Sequence, residues 1–105
     1  MLFHVTIRHD AAHCPGYNPE LMPKAIETLL DLRATADKFG VKVHDLYNAL
    51  PDHVEYLVCE ADDPSALAIY LSEAMAYLNA DTETHAVVGA DDLLATARAK
   101  LSLSS

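Results

Sequence analysis

The order in which two hydrophobic periodicities follow one another constrains the fold more than any other feature of this chain. Residues 2–9 alternate between apolar and polar side chains, which is the period of a half-buried strand. Residues 18–39 carry apolar side chains three and four positions apart, as on one face of a helix that Gly40 would end. The later segments switch between the same two periodicities. They predict strands over 41–48, 54–61 and 84–90 and helices that begin at Asp63 and Asp91.

Strand, helix, strand, strand, helix, strand is the order of the split βαβ, or ferredoxin-like, fold. The sequence therefore predicts an α+β domain over residues 1–105, with a four-stranded antiparallel sheet and an extra C-terminal helix that turns Leu93, Leu94, Ala97 and Leu101 inward. Two helices should cover one face of the sheet, and Pro51 should lie in a hairpin. We expect the covered face to carry Phe3, Val5, Ile7, Val54, Tyr56 and Val58. We expect the opposite, open face to carry His4, Thr6, Arg8, His44, Glu55, Leu57 and Cys59.

Composition excludes several classes of function. The chain has 16 acidic and 7 basic residues, a net charge of -9, which opposes binding to a nucleic-acid backbone. No segment approaches the roughly 20 apolar residues of a membrane span, and no secretory leader pattern opens the chain. Two cysteines are too few for a disulfide framework. We therefore expect a cytoplasmic protein that binds neither nucleic acid nor membrane.

The open face of the predicted sheet is the first candidate site. His4 or His44 would act as general acid and base, because imidazole titrates near neutral pH. Arg8 would orient a carboxylate or enolate oxygen, and Glu55 would hold Arg8 or serve as a second base. Two further residues, Thr6 and Tyr47, would line the ligand pocket. Because the first and third strands should be antiparallel neighbours, we predict a contact between Arg8 and Glu55.

A second interpretation concerns the loop after the first strand. His9, His13 and Cys14 offer imidazole and thiolate donors that suit zinc, copper or iron, so this loop is a candidate metal or haem site. Asp10 or a partner subunit would supply a fourth ligand. A third interpretation is a hydrogen-bonded interaction module that binds no ligand.

The predicted fold resembles the dimeric α+β barrel superfamily, and the opening Met1-Leu2-Phe3-His4-Val5 is similar to the start of muconolactone isomerases. This resemblance implies a homodimer in which two sheets face each other around a small-molecule site. It also implies isomerase- or lyase-like proton transfer on a small carboxylate or aromatic-derived substrate, with no cofactor required. No further isomerase motif follows, so no catalytic residue is transferred from that family.

Overall fold

The computed structural model describes residues 1–104 and has the predicted order of elements. The α+β fold is ferredoxin-like, with a four-stranded antiparallel sheet and a C-terminal helix. Its strands and α-helices are β1 Leu2–Arg8, α1 Met22–Leu30, α2 Leu32–Lys38, β2 Val41–Ala49, β3 Val54–Ala61, α3 Pro64–Ala74, β4 Asp81–Val87 and α4 Ala90–Ser104.

The sheet has the strand order β2-β3-β1-β4, and every neighbouring pair is antiparallel. β1 therefore lies between β3 and β4, as predicted for the first and third strands. In this ladder His4 is opposite Val58 and Arg8 is opposite Val54. His4 therefore lies near the Cys59 end of β3, and Arg8 lies near the start of β3.

Two helix ends have the capping residues that the sequence indicates, Gly40 after α2 and Asp63 before α3. Gly40 has a φ of 73°, a left-handed conformation that glycine adopts without strain after the end of α2. The carboxylate of Asp63 accepts a hydrogen bond from the backbone N–H of Ser65 (2.8 Å), and Pro64 takes the first helical position of α3. The helix predicted over 18–39 is interrupted at Asp31, so it forms α1 and α2 after a short 3-10 turn at Pro19–Leu21.

The core lies between one face of the sheet and the helices α2 and α3. Val5, Ile7, Leu57 and Leu67 are fully buried there. Tyr70 is also fully buried, and its hydroxyl donates a hydrogen bond to the carbonyl of Leu32 (3.2 Å), which satisfies its one polar atom.

The two predicted faces of β3 are interchanged in the structure. Leu57 and Cys59 are fully buried on the helix side, whereas Tyr56 and Val58 lie on the open face. The β1–β3 register explains this, because it places Leu57 directly opposite Val5, and opposite residues share a face. The expected faces of Val54, Tyr56 and Val58, and those of Leu57 and Cys59, were therefore wrong. A shift of one residue in a strand moves every side chain to the other face.

The second strand, β2, contains an irregularity. The β2–β3 register shifts between Val43 and Asp45, which leaves His44 as the extra residue of a bulge. Val41 and Val43 before the shift are buried, and after it Leu46 returns to the helix side opposite Leu57.

The C-terminal helix does not pack as predicted. Leu93, Leu94, Ala97 and Leu101 are exposed rather than turned inward. β4 begins at Asp81 rather than Thr84, and only two residues separate its end from the start of α4. The N–H of Leu93 donates a hydrogen bond to the carbonyl of Gly89 (2.9 Å). The helix therefore extends away from the edge strand, and the molecule measures 61 × 30 × 19 Å along its principal axes.

Candidate functional site

The open face of the sheet gathers part of the predicted site. β1 directs His4, Thr6 and Arg8 to this face, since their neighbours Val5 and Ile7 are buried on the other. Residues that the sequence analysis did not assign to the site join them from the flanking strands. Tyr56 is opposite Thr6 on β3, His85 is opposite His4 on β4, and Glu83 is opposite Thr6 on β4.

The polar side chains of this face form a short network. The guanidinium of Arg8 lies 3.5 Å from one carboxylate oxygen of Glu83, and Nε2 of His85 lies 2.9 Å from the other. The hydrogen bond with His85, and then that with Arg8, lower the pKa of Glu83. The ring of His4 lies 5.8 Å from that of Tyr56. Because Arg8, Glu83 and His85 are more than half exposed, water screens these pairs strongly.

The predicted contact between Arg8 and Glu55 is wrong. Glu55 is opposite Ile7 in the β1–β3 ladder, on the helix side, where only 8% of its surface is exposed. One of its carboxylate oxygens accepts a hydrogen bond from the side-chain amide of Asn48 (3.0 Å), and the other has no hydrogen-bond partner. Burial raises the pKa of Glu55. A side chain on this side of the sheet cannot assist chemistry on the open face.

The remaining open-face residues lie on the edge strand β2. Nε2 of His44 is 3.4 Å from a carboxylate oxygen of Glu60, and both side chains are partly exposed. Tyr47 is exposed as well, and a hydrogen bond with Asp45 raises its pKa. β3 separates these side chains from β1, so the structure does not bring His44 and Tyr47 together with His4.

A second group forms where the loop after β1 meets the start of β3. The backbone N–H of His9 donates to the carbonyl of His53 (3.1 Å), which extends the β1–β3 pairing beyond Arg8 and Val54. His53 itself has a left-handed backbone, with φ of 56° and ψ of 39°, immediately after the 3-10 turn at Leu50–Asp52. Residues other than glycine seldom adopt this conformation, although histidine does so more often than most, and it costs roughly 1–3 kcal/mol.

The loop between Asp10 and Asn18 folds around the backbone of Cys14. The side-chain amide of Asn18 donates to the carbonyls of Ala11 (2.8 Å) and Cys14 (2.9 Å), and the N–H groups of Tyr17 and Asn18 also donate to the Cys14 carbonyl. Asp10 caps the 3-10 turn at Ala11–His13 by accepting from the N–H of His13 (3.0 Å). These bonds hold Cys14 in a fixed place beside the end of β1.

The loop brings Cys14 together with His9 and His53. One ligand atom from each of the three side chains lies within 4.8 Å of the other two. All three residues are partly buried, and the two imidazole rings meet edge to face with centroids 5.4 Å apart. Within residues 1–104 this is the one group of three His, Cys, Asp or Glu side chains whose ligand atoms converge so closely. We call it the His9–Cys14–His53 cluster.

Three of the four imidazole nitrogens of this cluster are buried without a hydrogen-bond partner among residues 1–104. These are both ring nitrogens of His9 and Nδ1 of His53. A buried polar atom left in this way typically costs about 1–3 kcal/mol. Burial, followed by the charge of His53, lowers the pKa of His9 and so favours its neutral imidazole, the form that can coordinate a metal ion.

The sequence analysis found two members of this cluster and missed the third. His13 was expected beside His9 and Cys14, but its Nδ1 faces the carboxylate of Asp10 at 2.7 Å. That hydrogen bond lowers the pKa of Asp10. His53 takes the third place through strand pairing, so no local spacing reveals it. The antiparallel pairing of the first and third strands could have revealed it. This pairing places His9, the residue after β1, beside His53, the residue before β3.

Comparison with known proteins returns no relative: neither a family model nor a curated protein matches the sequence. Among residues 1–104, no helix has the length and apolar character needed to cross a bilayer. The functional interpretation therefore depends on the geometry of the side chains described above.

Proposed function

We propose that this protein binds a transition-metal ion through His9, Cys14 and His53. The observation that carries the proposal is the set of buried imidazole nitrogens without partners beside a free thiol. Metal coordination would satisfy one nitrogen of each imidazole and offset part of the cost of their burial. Two imidazoles and one thiolate are the donors that Zn²⁺ and copper prefer, whereas Ca²⁺ and Mg²⁺ prefer oxygen ligands.

The spacing of the donors is compatible with one ion after a small adjustment. Zinc bonds of about 2.0–2.1 Å to nitrogen and about 2.3 Å to sulfur place the ligand atoms of a tetrahedral site about 3.5 Å apart. The donor atoms here lie within 4.8 Å of one another. Side-chain rotations that move the donor atoms by about an ångström would bring them to these separations. The backbone hydrogen bonds around Cys14 and His53 already hold both residues at the cluster.

A bare ion fits this cluster better than haem iron does. The porphyrin occupies four positions of its iron, which leaves at most two for protein side chains. Three donors that converge on one point match an isolated ion. We therefore propose a site for a single metal ion, in which His53 takes the place that the sequence analysis gave to His13.

Equilibrium dialysis against Zn²⁺, followed by metal analysis of the reduced protein, tests the proposal. We expect one ion per chain in the wild type and in His13→Asn, and binding weakened more than tenfold in Cys14→Ser and His53→Asn. Asparagine suits position 53 because it tolerates a left-handed backbone better than most residues. His85→Asn is the matched control, since it removes an imidazole from the open face. A wild type without zinc, or a Cys14→Ser variant that binds like the wild type, would refute the proposal.

A second candidate function rests on the open face. His4 lies directly opposite His85, and Arg8 shares Glu83 with His85, so two imidazoles and a guanidinium lie on the face of the sheet opposite the core. This arrangement supports a small-molecule site for a carboxylate or an aromatic-derived compound, with isomerase- or lyase-like proton transfer. Among the candidate residues of this site, Glu83 takes the place expected of Glu55 as the carboxylate beside Arg8.

The second candidate requires a homodimer, because the network of Arg8 and Glu83 is more than half exposed in the single chain. Sedimentation at micromolar concentration tests for the dimer, and a thermal-shift screen of small carboxylates tests for the ligand. We expect a dimer whose response to a carboxylate is lost in His4→Ala and Arg8→Ala. A monomer, or an equal response in both variants, would contradict it.

A further inference from the structure

We propose that the metal centre has an open coordination position beside Gly16 and binds a small monodentate anion there. This inference rests on the metal-binding function proposed above. The cluster would then be a site at which an ion meets an exogenous ligand, and not a closed structural site.

The number of donors is the first observation. Structural zinc sites have four protein ligands, whereas sites that bind substrate or water keep three and leave one position for the exogenous ligand. The His9–Cys14–His53 cluster has three members within residues 1–104. The neighbouring imidazole, that of His13, is turned toward Asp10 by a contact of 2.7 Å.

The second observation is the glycine beside the thiol. A Cβ atom added at Gly16 would lie 3.6 Å from Sγ of Cys14, in van der Waals contact with it. The backbone does not require glycine at this position, because Gly40 is the glycine with a positive φ among the described residues. The absence of a side chain at Gly16 therefore leaves space next to the sulfur without serving the backbone conformation.

The third observation is access from solvent. The cluster residues are only partly buried. Tyr17, the residue after Gly16, is two-thirds exposed, and its ring meets that of His53 edge to face with centroids 5.1 Å apart. In the proposed site a small anion would reach the ion on the Gly16 side, alongside the exposed Tyr17 ring.

Azide titration of the Co²⁺-loaded protein tests this inference. Cobalt bound to a thiolate gives a sulfur-to-metal charge-transfer band, and its visible bands change when a fourth ligand is added or replaced. We expect azide to change the visible bands of the wild type in a saturable way while the charge-transfer band persists.

Gly16→Ala places a methyl group in the proposed space without altering a ligand. We expect this variant to bind Co²⁺ with the same charge-transfer band and to bind azide about tenfold or more weakly, because the added methyl group would occupy the space that the anion needs. Gly89→Ala is the matched control, since a Cβ at that position would have nothing within 4 Å.

The possible failures are distinguishable. If the wild type takes up no Co²⁺, the metal-binding function itself is refuted. If Co²⁺ binds through the thiolate but azide leaves the spectrum unchanged, the position is closed and this inference alone is wrong. If azide binds equally to the wild type and Gly16→Ala, the open position does not lie beside Gly16.

Discussion

The backbone N–H of His9 donates a hydrogen bond to the carbonyl of His53 (3.1 Å), and the rings of the two residues meet edge to face. The bond extends the antiparallel ladder of β1 and β3, so strand pairing brings the two imidazoles together. The loop that follows His9 then adds the thiol of Cys14. Metal binding at this point would connect the loop to two central strands of the sheet, which gives it a measurable effect on stability.

Zinc should stabilise the folded protein. A ligand that binds only the native state at 100 times its Kd raises the free energy of unfolding by about 2.7 kcal/mol. We expect denaturant titrations to show a gain of this size with excess Zn²⁺. We expect little gain with Ca²⁺, because the cluster offers nitrogen and sulfur ligands, or with Zn²⁺ in Cys14→Ser. An equal gain in Cys14→Ser would show that zinc acts elsewhere on the chain.

Removing the charge of Glu55 should stabilise the fold at neutral and alkaline pH. Burial raises the pKa of Glu55 in the folded protein above its ordinary value. The folded state therefore holds this proton more tightly than the unfolded state, and the free energy of unfolding falls as pH rises from the ordinary to the raised pKa. Above that window the ionised, buried carboxylate continues to destabilise the fold.

Glu55→Gln cannot ionise, so its unfolding free energy should lack this fall and exceed that of the wild type by about 1 kcal/mol at pH 8. Urea unfolding of both proteins between pH 4 and pH 8 measures the difference. The control is Glu73→Gln on α3, an exposed carboxylate, which should follow the wild-type profile. Parallel pH profiles for Glu55→Gln and the wild type would contradict the prediction.

The faces of β3 can be tested by a pair of adjacent truncations. Leu57 is fully buried in the core, so Leu57→Ala should lower the free energy of unfolding by about 2–5 kcal/mol. Val58, its neighbour on the open face, is only partly buried, so Val58→Ala should lower it by about 1 kcal/mol or less. Chemical denaturation of the two variants compares them, and the reverse order of effects would mean that the register is wrong.

Double-mutant cycles should separate the true partner of Arg8 from the expected one. Arg8 and Glu83 are 3.5 Å apart but more than half exposed, so we expect a coupling energy between 0 and about 1 kcal/mol. Arg8 and Glu55 lie on opposite faces of the sheet, so truncations of the two to alanine should add within about 0.5 kcal/mol. A coupling above this limit between Arg8 and Glu55 would disagree with the structure.

Features that depend on a few neighbouring residues could be predicted from the sequence. The alternation in β1, the left-handed Gly40 and the cap at Asp63 each follow from backbone geometry or from a hydrogen bond within one turn. Because these effects are local, the order of elements could be predicted, and with it the antiparallel pairing of β1 with β3. His9 and Cys14 could be named as candidate metal ligands for the same reason, since they lie in one short loop.

Tertiary structure decided which side of β3 faces the core and which histidine completes the cluster. In the segment Val54–Ala61 both alternating sets contain apolar residues, so the period of two is equally compatible with either face; only the pairing of Val5 with Leu57 selects one. His53 reaches His9 through strand pairing, whereas His13 is drawn away by Asp10. The sequence thus determined the elements through local interactions, but the register between distant strands determined which side chains could meet.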